Sequence, residues 1–333
     1  MSDSAAAPWM LAQCKALLAQ RGHAWLLAGP SGLGQYDLAL ALVRAWLCEQ
    51  PSALGACGQC GSCHASDVHT HADLCVLMPE TVMLDLGWPL SEAAQSDIDD
   101  KKRKASKEIR VEAMREAVEF SQRTSARGRG KAVLVFPAER MNLVTANALL
   151  KTLEEPPGDV RFVLASDAAY QLLPTIRSRC LAHTMIWPSA DASLAWLLER
   201  GLNTQQARVM LQAAGGRPQD ALQLFEAKAD AQAWVLLPKA IASGDLGVFK
   251  DWSAPQVVNA LQKLCHDMLA LKVGADTRFF DAAALPAGGS IACLTEWAKD
   301  LADSKRTAEH PFNVGLMMEA LVSQAQNALN SGH

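Results

Sequence analysis

The sequence predicts an α/β fold built on a parallel sheet and followed by a wholly helical region, and three observations carry that expectation. Short apolar runs at 24–28, 132–136 and 160–165 alternate with stretches of helical periodicity, as strands covered on both faces by crossover helices do. A glycine-rich turn, residues 29–34, joins the first run to the helix after it, and beyond Trp187-Pro188 no strand-like run occurs. A chain of 333 residues exceeds what one hydrophobic core usually supports, so two or three domains are expected. The composition, 50% hydrophobic and 20% charged, suits a folded protein in water, while a formal net charge of −4 leaves no electrostatic footprint for an autonomous nucleic-acid binder. No stretch reaches about 18 consecutive apolar residues, and no basic segment precedes a long apolar core near the N-terminus. A cytoplasmic protein without membrane contact is therefore expected, its nine cysteines reduced or metal-bound.

In chain order, residues 8–20 read as a helix with Trp9, Leu11, Leu17 and Leu18 on its apolar side, and 24–28 as a short buried strand. Residues 29–36 then have the outline of a phosphate-cradling loop, with Gly29, Gly32 and Gly34 where the pattern GxxxxGK[ST] wants or tolerates glycine. In a working loop the next two positions hold a lysine for the β- and γ-phosphates and a hydroxyl for Mg²⁺. Here they hold Gln35, which is neutral, and Tyr36, whose phenol is too long for that task. On these residues alone the turn is equally well an ordinary strand-to-helix connection. The helix from Gln35 ends near Cys48, which opens the spacing Cx8CxxCxxC through Cys57, Cys60 and Cys63. Four closely spaced thiolates with Gly58 and Gly61 between them suit a structural, tetrahedral Zn²⁺. An Fe–S cluster, a redox dithiol pair, or His64, His69 or His71 in place of Cys48 are the alternatives.

Residues 79–108 change character, with Pro79, Pro89, three aspartates at 97, 99 and 100 and the run Lys101-Lys102-Arg103-Lys104, and read as a mobile, solvated surface insertion. Helical periodicity resumes at Ile109, Val111, Met114, Val118 and Phe120, and a basic turn, 127–131, leads into the strand at 132–136. A helix near 142–155 stops at Pro156-Pro157-Gly158, and the strand at 160–165 is followed by Ser166 and Asp167. A further helix is expected at 172–178. Amphipathic segments near Trp234 and at 257–271, 291–301 and 313–329 fill the C-terminal third. Trp196, Trp234, Trp252 and Trp297 read as packing residues, and the last segment, starting near Pro311-Phe312-Asn313, carries Leu316, Met317, Ala320 and Leu321 on one stripe.

At NALLKTLEEPP, residues 147–157, and at Ser178-Arg179-Cys180, the sequence resembles the bacterial clamp-loader branch of the AAA+ ATPases. Within it the chain is most similar to the delta-prime family, whose zinc module has the same Cx8CxxCxxC spacing directly after the phosphate-loop helix. The resemblance covers about the first 230 residues and continues beyond them only as helical character. It implies a P-loop-like AAA+ domain over 1–187 carrying the zinc module at 48–63 and the insertion at 79–108, a helical lid over 188–228, and an all-α collar over 229–333 that holds subunits in a ring.

Carried over residue by residue, the resemblance implies a lost ATPase. The family's Mg²⁺-binding Asp falls on Phe136, its water-activating Glu on Pro137, its γ-phosphate sensor on Ser166, and the arginine of its GGRPQDAL stretch on Gln219, with Arg217 two residues away. Losing the lysine, the metal ligand and the base together removes most of the electrostatic stabilisation of a transferring phosphoryl group. ATP or ADP is then a weak guest at most, held by backbone amides. Arg179 would face the nucleotide of a neighbouring subunit as a trans arginine finger beside Ser178; its bland alternative is an ion pair within the chain, with Asp167 one candidate partner. The implied partners are gamma/tau-like ATPase subunits and a delta-like clamp-opening subunit in a pentameric ring of the DNA polymerase III holoenzyme, and through them a sliding clamp and primer-template DNA. Arg123, Arg127, Arg129 and Lys131 are candidates for shared DNA contact. Competing readings are an active ATPase of the same fold and a zinc-ribbon nucleic-acid module; the net charge of −4 weighs against the latter.

Overall fold

The computed structural model describes residues 7–250, 252–307 and 314–330. They form two compact units, one ending at Pro188 and one beginning at Ser189. Among the described residues, no helix is long and apolar enough to cross a membrane.

The first unit is organised by a five-stranded parallel sheet. In chain order its elements are α1 (Pro8–Leu18), β1 (Ala24–Ala28), α2 (Gln35–Leu47), α3 (Gly61–Asp67), β2 (Leu74–Leu77), α4 (Glu80–Asp85), α5 (Glu92–Asp99), α6 (Val111–Gln122), β3 (Lys131–Val135), α7 (Leu143–Glu154), β4 (Val160–Ser166), α8 (Pro174–Arg177) and β5 (Leu181–Thr184). The strand order is β2-β3-β4-β1-β5, and every pairing is parallel. Alternation along each strand divides the core in two. Trp25 and Leu27, Ala132 and Leu134, and Val163 and Ala165 pack on one face against α1 and α2. Ala24 and Leu26, Val133 and Val135, and Phe162 and Leu164 pack on the other against α6, α7 and α8. Each fully buried leucine contributes about 1.5–3 kcal/mol, which is why these runs hold the sheet between two helical layers.

The sequence did not mark β2 and β5. Both are four-residue edge strands, too short for a periodicity argument. The segment 79–108 keeps the solvated charge run expected, with no buried residue in 92–99 and Lys101, Lys102 and Lys104 exposed, but it is more ordered at its start than a loop. Residues 80–85 and 92–99 are helical, and Glu80 is a buried anchor. It accepts two bonds from Arg103 (2.5 and 2.8 Å), one from Ser106 N (2.8 Å), and pairs with Arg110 at 3.1 Å. Arg103 therefore folds back on an acid of its own segment, while Lys101, Lys102 and Lys104 are exposed. Burial works against ionisation of Glu80, but these donors outweigh it and hold the carboxyl below the usual range.

A second buried acid fixes the turn before β3. Asp73 is fully buried and accepts from the amides of Ala126 (2.7 Å) and Arg127 (2.8 Å) and from Ser125 Oγ (3.0 Å), with Lys131 Nζ at 3.8 Å. Lys131 is itself buried, its ammonium 3.8 Å from the centre of the Phe120 ring. It therefore belongs to the core rather than to a basic surface.

The second unit is wholly helical: α9 (Ala190–Leu198), α10 (Thr204–Ala213), α11 (Pro218–Glu226), α12 (Ala231–Ser243), α13 (Ala254–Lys272), α14 (Ile291–Thr307) and α15 (Val314–Asn330), with two 3₁₀ turns. Asp267, buried on α13, accepts from the amides of Arg278, Phe279 and Phe280. Arg278 donates twice to Gly215 O, and Lys263 Nζ reaches Ala213 O at 2.8 Å. Two cations thus cap the negative end of α10. Trp196 and Trp297 are buried, and Trp234 stacks on Phe280 at 4.8 Å, as packing residues do. The expected start of the last helix at 311–313 lies outside the described residues. Within α15, Leu321 is core and Met317 packs on it, whereas Leu316 is exposed, so the expected stripe is only partly buried.

Replacing Asp73 by Asn should lower stability by about 2–3 kcal/mol, because three donors lose a charged acceptor. Since donors hold the folded carboxyl below its ordinary value despite burial, its contribution is full above about pH 4 and is lost as pH falls through the folded value. Urea denaturation of both forms at pH 7 and pH 3 measures this; equal midpoints at pH 7 would contradict it.

Candidate functional site

The turn after β1 keeps the glycines of a phosphate loop and fills its interior with this chain's own atoms. Gly32 (φ 78°) and Gly34 (φ 94°) take left-handed conformations, which only glycine adopts freely. A Cβ on Gly29 would lie 2.8 Å from Met185 Cβ, so the chain is tight there as well. Gln35, 2% exposed, is the first residue of α2. Its Nε2 donates to Gly29 O (2.7 Å), Pro30 O (2.7 Å) and Asp167 Oδ1 (3.0 Å). Both amide hydrogens are therefore committed to the loop and to the tip of β4.

Tyr36 turns the other way. Its hydroxyl accepts from Trp88 Nε1 at 2.7 Å, and its ring lies 5.4 Å from Phe136 at the end of β3. Burial pushes the phenol up to about 12. Trp88 is 7% exposed and stacks on His69, ring centres 3.8 Å apart and 11° from parallel. Ser166, at the tip of β4, donates to Glu139 Oε2 at 2.7 Å, and Asp167 N donates to Glu139 Oε1 at 3.3 Å. Trp88 and Glu139 were not marked by the sequence, since neither falls within a motif.

The four cysteines converge. Cys48 follows the last residue of α2, Cys57 and Cys60 lie in the connection, and Cys63 is in α3. Their Sγ atoms all lie within 4.8 Å of one another. The separations are 3.8 Å for Cys48–Cys60, 3.9 Å for Cys57–Cys63 and 3.7 Å for Cys48–Cys63. Tetrahedral Zn–S bonds of about 2.3 Å place neighbouring sulfurs about 3.8 Å apart, so the donor set fits that ion. Burial works against ionisation of Cys60, but amide and thiol hydrogen bonds outweigh it and bring the group down to about 6. His64, His69 and His71 are not in the cluster: His69 packs on Trp88, and His71 Nδ1 accepts from Asp73 N at 3.0 Å. Around the cluster, Glu49 accepts from Ser62 N (3.0 Å), Ser62 Oγ (3.1 Å) and Arg127 Nη1 (3.1 Å), and Arg44 of α2 pairs with Asp67 of α3 at 2.6 Å.

Arg179 follows α8, with Ser178 as that helix's C-cap. Its Nη1 donates to Thr175 O (3.1 Å) and its Nη2 to Glu154 Oε2 (3.1 Å); the side chain is 30% exposed. The intrachain partner is thus Glu154, from the LEEPP stretch, and not Asp167, which is engaged by Gln35. Arg123, Arg127 and Arg129 are exposed, the first two paired with Glu119 (3.9 Å) and Glu49 (3.1 Å), whereas Lys131 is buried. In the second unit Arg217 pairs with Asp220 at 2.6 Å.

A family model described as "DNA polymerase III, delta subunit" matches residues 12–186. DNA polymerase III subunit delta' of Escherichia coli K12 is 33% identical over 282 residues, covering 80% of this chain and 77% of that one. The chain belongs to the DNA polymerase III delta-prime family. Another delta-prime protein, from Pseudomonas aeruginosa, is 40% identical over 222 residues, 65% of this chain and 60% of its own length. DNA polymerase III subunit tau of E. coli K12 is 29% identical over 258 residues, 75% of this chain and 33% of its own. Among solved structures, a gamma subunit-related protein of Thermotoga maritima superposes with a TM-score of 0.48 at 16% identity, covering 96% of this chain and all of that one. That likeness is too loose to add to the argument.

Gln35→Leu, which keeps the volume and removes both hydrogens, should cost about 0.5–1.5 kcal/mol by deleting the bonds to Gly29 O, Pro30 O and Asp167. An unchanged urea midpoint would contradict this account of the loop.

Proposed function

We propose that this delta-prime family member is an ATPase-silent clamp-loader subunit that assembles with gamma/tau-like ATPase subunits and a delta-like clamp-opening subunit in a pentameric ring. In that ring it presents Arg179 to a neighbour's nucleotide, so that the complex loads a sliding clamp on primer-template DNA. The observation that carries the reading is the pairing of Gln35 and Tyr36 with groups of this chain. The side chains at the two positions that would hold a γ-phosphate and its Mg²⁺ are bonded to Gly29, Pro30, Asp167 and Trp88. Phe136 and Pro137, where a metal ligand and a base would stand, can neither coordinate nor accept a proton.

Arg179 supports the second half of the reading. Its Glu154 partner is exposed, and exposed ion pairs are worth about 0–1 kcal/mol, so the guanidinium is cheaply released to a neighbour's γ-phosphate. There it neutralises charge that develops during phosphoryl transfer. Delta-prime and tau relatives support the assembly, because ATPase and silent copies of one fold then share a ring. Residues 1–187 form the nucleotide-machine domain, 188–228 the lid and 229–333 the collar.

Cys48, Cys57, Cys60 and Cys63 hold a structural zinc. When bound, zinc supplies a four-sulfur cross-link and no chemistry, since four protein ligands leave no open position.

The isolated chain should not turn over ATP. Reconstituted with its ATPase partners, Arg179→Ala should leave assembly intact and lower turnover at the site it faces by on the order of 10³ or more. Turnover by the isolated chain, or an unchanged rate with Arg179→Ala, would refute the reading. Metal analysis of the native chain should give one zinc per molecule, lost in Cys60→Ser; a zinc-free native protein would refute the metal site.

A further inference from the structure

Helix α2 is held at both ends by the segment that follows it. At its C-terminal end Cys48 enters the cysteine cluster, and on its side Arg44 pairs with Asp67 of α3. Beyond α3 the chain reaches His69, a non-glycine residue in the left-handed region (φ 59°). Its amide donates to Ser66 O at 3.2 Å, and its ring bonds Gly87 O at 3.0 Å while stacking on Trp88. A strained backbone at a residue whose ring has so specific a seat points to a position that the surroundings dictate. Trp88 in turn donates to Tyr36, in the first turn of α2. The path from the cysteine cluster thus returns to the end of α2 that begins at the phosphate-loop turn.

We infer that Trp88 is a positioning strut, through which the cysteine cluster, by way of His69, orders the phosphate-loop turn and the first turn of α2. In an ATP-binding relative a bound nucleotide can order such a loop; here a structural cross-link through Cys48, Cys57, Cys60 and Cys63 does so from inside the chain. Segment 79–108 thereby has a role: α4 and the Glu80–Arg103–Arg110 cluster anchor the stretch that carries Trp88. Only its metal-dependent half rests on the proposed zinc site.

Hydrogen–deuterium exchange of the full chain tests it, read in peptides covering 33–40 and, as a control, 131–135. Trp88→Phe, with its metal content unchanged, should speed exchange in 33–40 at least about tenfold and leave 131–135 within twofold. Tyr36→Phe, which deletes only the acceptor of the indole hydrogen, should speed 33–40 in the same selective way. Stripping the metal with a chelator should do likewise in wild type and add nothing in Trp88→Phe. Exchange at 33–40 within twofold of wild type in both variants overturns the strut, as does equal acceleration of both peptides in both variants. A native chain without zinc would sink the metal site alone, while the two variants still decide the strut.

Discussion

A buried side-chain amide must find acceptors, and at the turn after β1 the one on Gln35 finds them in the loop's own carbonyls. Gln35 bonds Gly29 O and Pro30 O and also reaches Asp167 at the tip of β4. A lysine there would tie the same loop while pointing charge at a phosphate. The amide keeps the tie and discards the charge. Each such hydrogen bond contributes about 0.5–1.5 kcal/mol, so the amide orders the loop from within the chain.

The same logic extends along α2. Once Tyr36 replaces a small hydroxyl, the space beside the loop becomes apolar: Phe136 lies against the phenol, and Trp88 covers it while satisfying its oxygen. Aromatic pairs of this kind contribute about 0.5–1.5 kcal/mol beyond area burial. The arrangement is therefore a packed extension of the core. Arg179 is the opposite case, a partly exposed cation with a surface acid for company, and it owes its present position to little energy.

Much of this was legible in the sequence. The runs at 24–28, 132–136 and 160–165 lie within a residue of β1, β3 and β4, because strands buried on both faces are continuously apolar. The helix expected near 142–155 is α7, and Asn142 caps it by accepting from Thr145 N. The four cysteines were readable from spacing alone. What stayed hidden was long-range: Trp88 with Tyr36, Glu139 with Ser166 and Glu154 with Arg179 are partners 52, 27 and 25 residues apart, and no local pattern encodes such pairs. In the polar run at 79–108 the exposed lysines were legible as a solvated face, but the pairing of Arg103 with buried Glu80 was not. Composition records charge but not pairing.

Gln35 and Tyr36 are bonded to this chain's own groups, which leaves a nucleotide's reactive end without side-chain partners at the turn. Calorimetric titration of the isolated chain with a non-hydrolysable Mg²⁺–ATP analogue tests it most directly. The account predicts no saturable heat up to roughly 1 mM; a single-site isotherm with a Kd near about 10 μM, worth roughly 7 kcal/mol of binding, would contradict it.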